Sequence, residues 1–355
     1  MTSQQARFTG DSLSDREEKV LLYTIQDYIS SAKPVPSKQL VRQRSMNVSS
    51  ATVRNIMSKL EERGYLDHPH TSSGRVPTSL GYRYYVNALP EKFEMAMAPE
   101  QVQRLENLKK ILSSDLSQSV IAAAQLLAKL SSLLSVIVVP RLAKARLHKL
   151  ELVELAADRL LMVVSLDSGV IKTVTVEVEN HFDTEDLQKI SRILNERLHG
   201  MRLREIPSNI HEILADRSAD DNTGILNIVM ESADAIFNLE PAQRFYYGGV
   251  EYIALQPEFS DTEQYRKLVS ILEDEEAISH LMQSPNRGEE AVSVRIGKEH
   301  QLQQIEQCSV VFGNYNMGNT QGSIGLVGPQ RMDYGRMMGL VNEFVNHFNK
   351  MPNDS

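Results

Sequence analysis

The sequence has 355 residues, of which 41% are hydrophobic and 24% are charged, as in an ordinary soluble globular protein with room for two or three domains. The polar N-terminus and the lack of a long apolar run predict a cytosolic protein without a signal peptide or a membrane span. The single cysteine, Cys308, excludes an internal disulfide and a zinc cluster built from cysteines.

The formal net charge of −8 is unevenly distributed along the chain. Residues 1–90 contain 12 basic and 8 acidic side chains, a net charge of +4, and the remaining 265 residues have a net charge of −12. This asymmetry suggests a basic binding module attached to an acidic body. Chance and a solvated helix face explain it about equally well, so the charge alone does not decide the function.

The first ninety residues are predicted to begin with three helices. Apolar residues in segment 15–32 recur at helical spacing, and the two prolines of KPVPS end this first helix. Ser37 is the candidate N-cap of a short second helix, and Ser49 or Ser50 is the candidate N-cap of a third, which stops at Gly64.

The third predicted helix has one apolar face and one small, polar and basic face. Apolar residues at helical spacing should face a core: they are Val53, Ile56, Met57 and Leu60. The opposite side presents Ala51, Asn55 and Ser58, flanked by Thr52, Arg54 and Lys59. Small residues let a helix approach base edges, and asparagine and arginine can make paired hydrogen bonds to bases. The pattern is typical of a helix-turn-helix.

A β-hairpin is predicted directly after this helix, from YLDHPH and RVPTSL with TSSG as the turn. Such a hairpin would be the wing of a winged helix, with Arg75 and the hydroxyl groups of the turn facing phosphates or the minor groove. A metal site at His68 and His70 is the weaker alternative, because a metal usually needs three or four protein ligands.

The predicted DNA-binding residues come from all of these elements. They are Ser37, Lys38, Ser49, Ser50, Thr52, Arg54, Asn55, Ser58, Lys59, His70, Thr71, Ser72, Ser73 and Arg75.

The rest of the chain is predicted to be an α+β body. Two helices after Pro99 precede the strands SVIVVP, HKLELVEL, RLLMVVSLD and VIKTVTVEVE and a helix at 184–199. Three more strands and a closing helix follow Glu290. The helix-rich, acidic segment 206–289 lies between these parts and is interpreted as an insertion, because the strands before it need those after it.

Catalytic chemistry has no sequence support. The glycine-rich segment GNYNMGNTQGSIGLVGP lacks the GK[ST] of a phosphate-binding loop and is better explained by hairpin turns. No catalytic set and no metal spacing stand out, so neither an enzyme nor a cofactor is expected. Arg331 is interpreted as a structural residue, with an effector pocket as the less favoured alternative.

Three segments, in order, resemble the HrcA family of heat-inducible transcription repressors. They are GYLDHPHTSSGRVPTSLGYRYYV, FYYGGVEYIALQPEF and GSIGLVGPQRMDYGRMMGLVN. The resemblance implies a winged-helix domain at 15–92 after a polar tail at 1–14. It also implies a GAF-like domain in two parts, 93–205 and 290–350, and an inserted dimerisation domain at 206–289.

The resemblance also implies a function. A homodimer would repress chaperone operons by binding an inverted-repeat operator, known in the family as CIRCE. The repressor would lose activity on heating and be kept active by the GroE chaperonin, in the cytoplasm and associated with the nucleoid. The alternative from a different class is a metabolite-responsive regulator that senses a small effector through the GAF-like domain.

Overall fold

The computed structural model describes residues 13–69, 74–89, 103, 116–139, 145–156, 158–167, 171–178, 182–218, 221, 223–237, 245–283, 292–317 and 320–349. The helices are α1 (Asp15–Ser31), α2 (Ser37–Gln43), α3 (Ser50–Glu62), α4 (Ser79–Asn87), α5 (Leu116–Ser131), α6 (Thr184–Leu198), α7 (Ile206–Ser218), α8 (Ile225–Glu231), α9 (Ala233–Phe237), α10 (Val250–Ala254), α11 (Thr262–Leu272), α12 (Glu275–Leu281) and α13 (Tyr334–Asn349). The strands are β1 (Leu66–Asp67), β2 (Val76–Pro77), β3 (Leu134–Val138), β4 (Leu147–Ala156), β5 (Arg159–Leu166), β6 (Ile171–Glu177), β7 (Phe245–Gly248), β8 (Val292–Ile296), β9 (Cys308–Met317) and β10 (Thr320–Pro329).

The chain divides into two compact units. The first unit contains residues 1–93, 295–309 and 328–335, and the second contains residues 94–294, 310–327 and 336–355. Mixed helices and sheets in two units make this an α+β multidomain protein.

In the first unit, α1, α2 and α3 pack around a shared apolar core, as their spacing predicts. Val20, Leu21 and Ile25 of α1, Leu40 of α2 and Leu60 of α3 are fully buried. Helix α1 begins with a capping box, in which the Ser14 side chain accepts from the Glu17 backbone N–H and the Glu17 carboxylate accepts from the Ser14 backbone.

Two boundaries in the first unit differ from the prediction. Helix α2 has Pro36, not Ser37, at its N-cap, and no side chain caps it. Strand β2 ends at Pro77 because the hydroxyl group of Thr78 accepts from the Gly81 N–H, 3.2 Å away, and thereby starts α4. The N-cap prediction at Ser37 and the strand prediction for RVPTSL beyond Pro77 were therefore wrong.

A five-stranded sheet, in the order β7-β3-β10-β9-β8, joins distant parts of the chain. Strand β3 pairs antiparallel with β10 on one side, so strands before and after the predicted insertion do come together. On its other side β3 pairs antiparallel with β7, with Val138 opposite Phe245. Strand β7 lies within the segment 206–289 that is predicted to be an insertion, yet it belongs to this sheet, and residues 139–244 separate it from β3 along the chain.

The interrupting segment has its own antiparallel sheet, in the order β4-β5-β6. One face of this sheet is buried, and alternate residues along the strands form it, such as Leu150, Leu152 and Met162. Helix α6 lies against β4, where the Asn195 side chain donates to the Leu150 carbonyl group and accepts from its N–H. The sequence predicted these strands individually but not that they form a separate sheet.

No helix in the described part of the chain is long and apolar enough to cross a membrane. Cys308 is buried at the start of β9, as predicted for a small apolar group in a strand.

Candidate nucleic-acid interface

Helix α3 is held by its apolar side, as its sequence predicts. Val53, Met57 and Leu60 are buried, while Ile56 is half-buried. Ser49 is the N-cap: its hydroxyl group accepts from the Thr52 N–H at 3.1 Å. Burial along one side and a cap at the N-terminus fix the helix rotation, so the opposite side is presented outward.

The outer side of α3 carries the polar and basic residues predicted to contact DNA. The exposed residues are Ser49, Ala51, Thr52, Arg54, Asn55 and Lys59, and Ser50 and Ser58 are half-exposed. Among the residues that the structure describes, the side chain of Arg54 takes part in no ion pair or hydrogen bond. An uncommitted guanidinium group beside an exposed carboxamide can hydrogen bond to base edges or phosphates.

The preceding helix, α2, carries two exposed cations and one buried residue that was predicted to contact DNA. Lys38 is exposed, and Arg42, one turn later, is exposed as well. Ser37 is only 7% exposed, so its predicted DNA contact is not supported by its position. Arg42 was not among the residues predicted to contact DNA, although its i, i+4 spacing from Lys38 places both on one side of the helix.

The hairpin after α3 contains an additional backbone bridge. Val35 and Arg75 exchange two backbone hydrogen bonds, of 2.9 and 3.1 Å, beside the β1–β2 pair. This close pairing needs glycine at position 74, since a Cβ atom there would lie 2.6 Å from the Pro34 carbonyl carbon. Segment 34–35 therefore anchors the base of the hairpin.

The side chain of Arg75, a predicted DNA contact, is mostly buried against Glu61. Its Nε lies 2.7 Å from Oε2 of Glu61, and the side chain is only 16% exposed. The guanidinium group thus ties the hairpin to the last turn of α3. The other residues predicted at the hairpin tip are His70, Thr71, Ser72 and Ser73, and they lie outside the described residues.

Two more arginines of the module are committed to internal partners. Arg44 makes hydrogen bonds of 3.2 and 2.7 Å to the buried Asp27 carboxylate and stacks over the Tyr23 ring. Arg63 lies 3.7 Å from the Glu17 carboxylate. The hydrogen bonds from Ser14, together with the charge of Arg63, hold the pKa of Glu17 below its ordinary value.

The ion pairs therefore sort the basic residues of the module into two classes. Arg44, Arg63 and Arg75 hold the module together, and Lys38, Arg42 and Arg54 are exposed with no ion pair among the described residues. The latter three residues lie on α2 and α3, the two helices expected to face DNA in a helix-turn-helix, and Arg16 and Lys19 of α1 are also exposed with no ion pair among the described residues. The described residues contain no group of three or more His, Cys, Asp or Glu that could hold a metal ion.

Comparison with known proteins identifies the family that this chain resembles. The sequence profile of the HrcA protein C terminal domain matches residues 117–338. The heat-inducible transcription repressor HrcA of Chlorobium phaeobacteroides (strain BS1) is 37% identical over 340 residues, which cover 93% of this chain and 96% of the relative. The protein of the same name from Symbiobacterium thermophilum is 35% identical, with 96% and 98% covered.

One solved structure is similar over nearly the whole chain. The crystal structure of a hypothetical protein at 2.2 Å resolution matches with a TM-score of 0.72 and 26% identity, over 96% of this chain and 100% of that one. This likeness supports the α+β multidomain fold.

These findings define the class of protein as a DNA-binding transcription repressor, which is not a class of enzymes. The chain belongs to the HrcA family, as its three motifs predicted. It acts as a negative regulator of heat-shock transcription, and family membership does not favour the metabolite-sensing alternative.

Proposed function

We propose that this protein represses chaperone operons as a homodimer that binds an inverted-repeat operator. Each first unit would act as a winged helix-turn-helix, with α3 in a major groove and the hairpin beside it. The observation that carries the proposal is the outward face of α3, where Arg54 and Asn55 are exposed and Arg54 has no partner among the described residues.

The proposed contacts follow from exposure and ion pairing. The residues retained from the sequence are Lys38, Ser49, Ser50, Thr52, Arg54, Asn55, Ser58 and Lys59, and Arg42 joins them. His70, Thr71, Ser72 and Ser73 are proposed to form the tip of the wing. Arg75 is proposed to set the position of the wing through Glu61, and Ser37 is not included.

The homodimer is proposed to form through the segment 139–244, which takes the place of the dimerisation domain first expected at 206–289. Support comes from the outer face of the β4-β5-β6 sheet, where Val153, Leu155 and Ile171 are 44, 55 and 54% exposed. Aliphatic side chains grouped on one sheet face favour burial against a partner. A two-fold symmetric dimer matches the symmetry of an inverted repeat. The five-stranded sheet and its helices are proposed to be the GAF-like domain.

The operator and the regulation are proposed from the family. The operator would be of the CIRCE type, and the bound dimer would occlude the promoter sterically. Heat would unfold a marginally stable body, and the GroE chaperonin would refold it when it is not occupied by other denatured proteins. The folded fraction of the repressor would then report free chaperonin capacity, in the cytoplasm near the nucleoid.

A gel-shift titration tests the DNA-binding proposal. The full-length protein should bind an inverted-repeat fragment from a chaperone promoter more tightly than a scrambled fragment of equal length. The affinity should also fall steeply with salt, because bound cations displace counterions from the phosphates. Equal affinity for both fragments would contradict sequence-specific repression.

Heating the purified protein tests the regulatory proposal. We expect operator affinity to be lost after heating above the growth temperature and to return when GroE and ATP are added. Full operator affinity after the same heating without the chaperonin would contradict the proposed mechanism.

A further inference from the structure

The first unit contains more than the N-terminal module, because two later segments of the chain belong to it. These segments are residues 295–309 and 328–335, here called the clamp. They cover the start of β9, the end of β10 and the first residues of α13. Their contacts with α1 and α4 lie entirely within the first unit.

An arginine of the clamp completes the C-terminal end of α1. Helix α1 has three acidic residues in its first turn but no basic residue in its last turn. Arg331 supplies the missing charge, since its Nη1 donates to the Ile29 carbonyl oxygen at 3.1 Å. A cation at that end interacts favourably with the helix dipole and satisfies a backbone acceptor.

A second set of clamp contacts holds α4. Arg83 makes a two-point ion pair with Glu299, with Nε 2.8 Å from Oε1 and Nη2 bonded to Oε2. The Glu299 carboxylate also accepts from the Ile296 N–H, 2.8 Å away. The Glu299 carboxylate is therefore held both by Arg83 of α4 and by the backbone of the clamp.

The N-terminus of α4 is held through a glutamine. Ser79 donates to Gln330 Oε1 at 2.9 Å, and Gln330 Nε2 donates to the Glu306 carbonyl at 2.7 Å. Glycine at 297 makes room for this chain of hydrogen bonds, because a Cβ atom there would lie 2.7 Å from Gln330 Nε2 and 2.9 Å from Ser79 Oγ.

The centre of the contact is aromatic. The rings of Tyr82 and Tyr334 lie 5.9 Å apart, and Tyr334 is fully buried. The Tyr334 hydroxyl group donates to the Gln330 carbonyl at 2.7 Å and hydrogen bonds with Ser309 at 2.8 Å. Aromatic, ionic and hydrogen-bonding contacts thus converge on α4, while the hydrogen bond from Arg331 reaches α1.

We propose that the clamp is a working part of the DNA-binding module, and that Arg331, Gln330, Glu299 and Tyr334 are positioning residues for operator binding. This rests on the proposed function. The clamp contacts α1 and α4. These two helices contact each other, and α1 also contacts α3. Losing the clamp would therefore change the position of α3 without touching any residue proposed to meet DNA.

The proposal also connects DNA affinity with the folding of the rest of the chain. Both clamp segments continue directly into residues of the second unit at 294, 310, 327 and 336. Unfolding of the second unit at these positions would release the clamp. Operator affinity would therefore fall before α1, α2 and α3 themselves unfold.

The test uses full-length variants and operator affinity from fluorescence anisotropy, at a temperature where circular dichroism shows them folded. Arg83→Glu should weaken binding by about fivefold or more, and adding Glu299→Arg should restore part of the loss, because the swap recreates the ion pair but not the hydrogen bond that Glu299 accepts from the Ile296 N–H. Arg331→Lys should retain more affinity than Arg331→Ala. Lys267→Glu, which breaks an exposed ion pair with Glu263 on α11, is the matched control and should bind like wild type.

Amide hydrogen exchange provides a readout that does not depend on DNA. Exchange in the last turn of α1 should be faster in Arg331→Ala than in wild type, and exchange in α4 should be faster in Arg83→Glu. If Arg83→Glu does not fold, Arg331→Ala decides: weaker operator binding together with faster exchange in the last turn of α1 supports the proposal, and unchanged binding with unchanged exchange overturns it.

The outcomes also separate this proposal from the proposed function. Unchanged operator affinity in Arg83→Glu and Arg331→Ala, together with unchanged hydrogen exchange, would overturn the proposed role of the clamp and leave the proposed function standing. A wild-type protein that does not prefer the operator would overturn the proposed function, and the exchange measurements would then decide on the clamp.

Discussion

The outer face of α3 and the adjacent hairpin both carry an arginine, but the two side chains are in opposite situations. Arg54 is exposed, with no ion pair among the described residues, whereas Arg75 lies against Glu61 with 16% of its side chain exposed. An arginine whose charge is already paired gains little from a phosphate, because its own carboxylate partner must first be displaced. The number of basic residues in a module therefore overstates its DNA-binding charge.

The same contrast exists within α3 itself. Leu60 is fully buried, and its neighbour Lys59 is exposed. Leu60→Ala should destabilise the protein by about 2–5 kcal/mol, since it leaves a cavity in the helix core. Lys59→Ala, the control, should change stability by less than about 0.5 kcal/mol and yet weaken DNA binding. Urea unfolding followed by circular dichroism measures the stability of both variants. Equal losses of stability in Leu60→Ala and Lys59→Ala would contradict the distinction between a buried and an exposed face of α3.

Asn55 tests whether the exposed face of α3 reads bases. Asn55→Ala should cost about 1–3 kcal/mol in operator binding and relax the preference at one base pair of each half-site. Competition gel shifts with single-base variants of the operator give the measurement. Asn87→Ala, at an exposed position on α4, is the control. An equal loss on every DNA sequence would assign Asn55 to the backbone and not to a base.

Arg75 and Glu61 test the other side of the comparison. Arg75→Ala and Glu61→Ala should each cost roughly 1 kcal/mol of stability, and the double variant should lose less than both single losses added together, because they remove one shared ion pair. The salt dependence of DNA binding should be unchanged. Lys38→Ala, by contrast, should reduce the salt slope by about 1. A reduced slope of the salt dependence in Arg75→Ala would indicate that Arg75 contacts DNA.

The smallest effect expected is a pH dependence at His300, which is buried in the clamp. Burial lowers the pKa of this imidazole below its ordinary value, so the unfolded chain binds the proton more readily than the folded protein. The stability that the neutral His300 imidazole contributes is therefore fully present above about pH 6.5, and it decreases as the pH falls below that value. Urea unfolding at about pH 7.5 and pH 5.5 should show a smaller decrease for His300→Asn than for wild type. The exposed His211→Asn should behave like wild type.

Local features were predicted from the sequence more reliably than tertiary ones. The Ser49 cap and the apolar face of α3 depend on residues within one helix, and both were confirmed. The Glu61 partner of Arg75 was not predictable, because the two residues lie on different elements and only the fold brings them together. The motif GPQRMDYG was recognised, but its contact with α1 requires residues 302 positions apart, Arg331 and Ile29, to meet.

The sheet arrangement was missed for a related reason. Alternating hydrophobicity identifies a strand and its buried face, but it does not identify the partner strand. Strands β4, β5 and β6 were therefore predicted individually, and β7 was assigned to an insertion although it pairs with β3.

Helix α3 is proposed to lie in the major groove of the operator, and a tethered cleavage reagent tests this placement most directly. Cys308 is the only cysteine and is buried, so Glu62→Cys, on α3 but outside the proposed contacts, provides a single reactive thiol for iron–EDTA. Cleavage is predicted at two symmetric clusters, one in each half-site. The same reagent at Glu251→Cys, on α10, should give no such cuts. Operator cleavage from position 251 and none from position 62 would contradict the account.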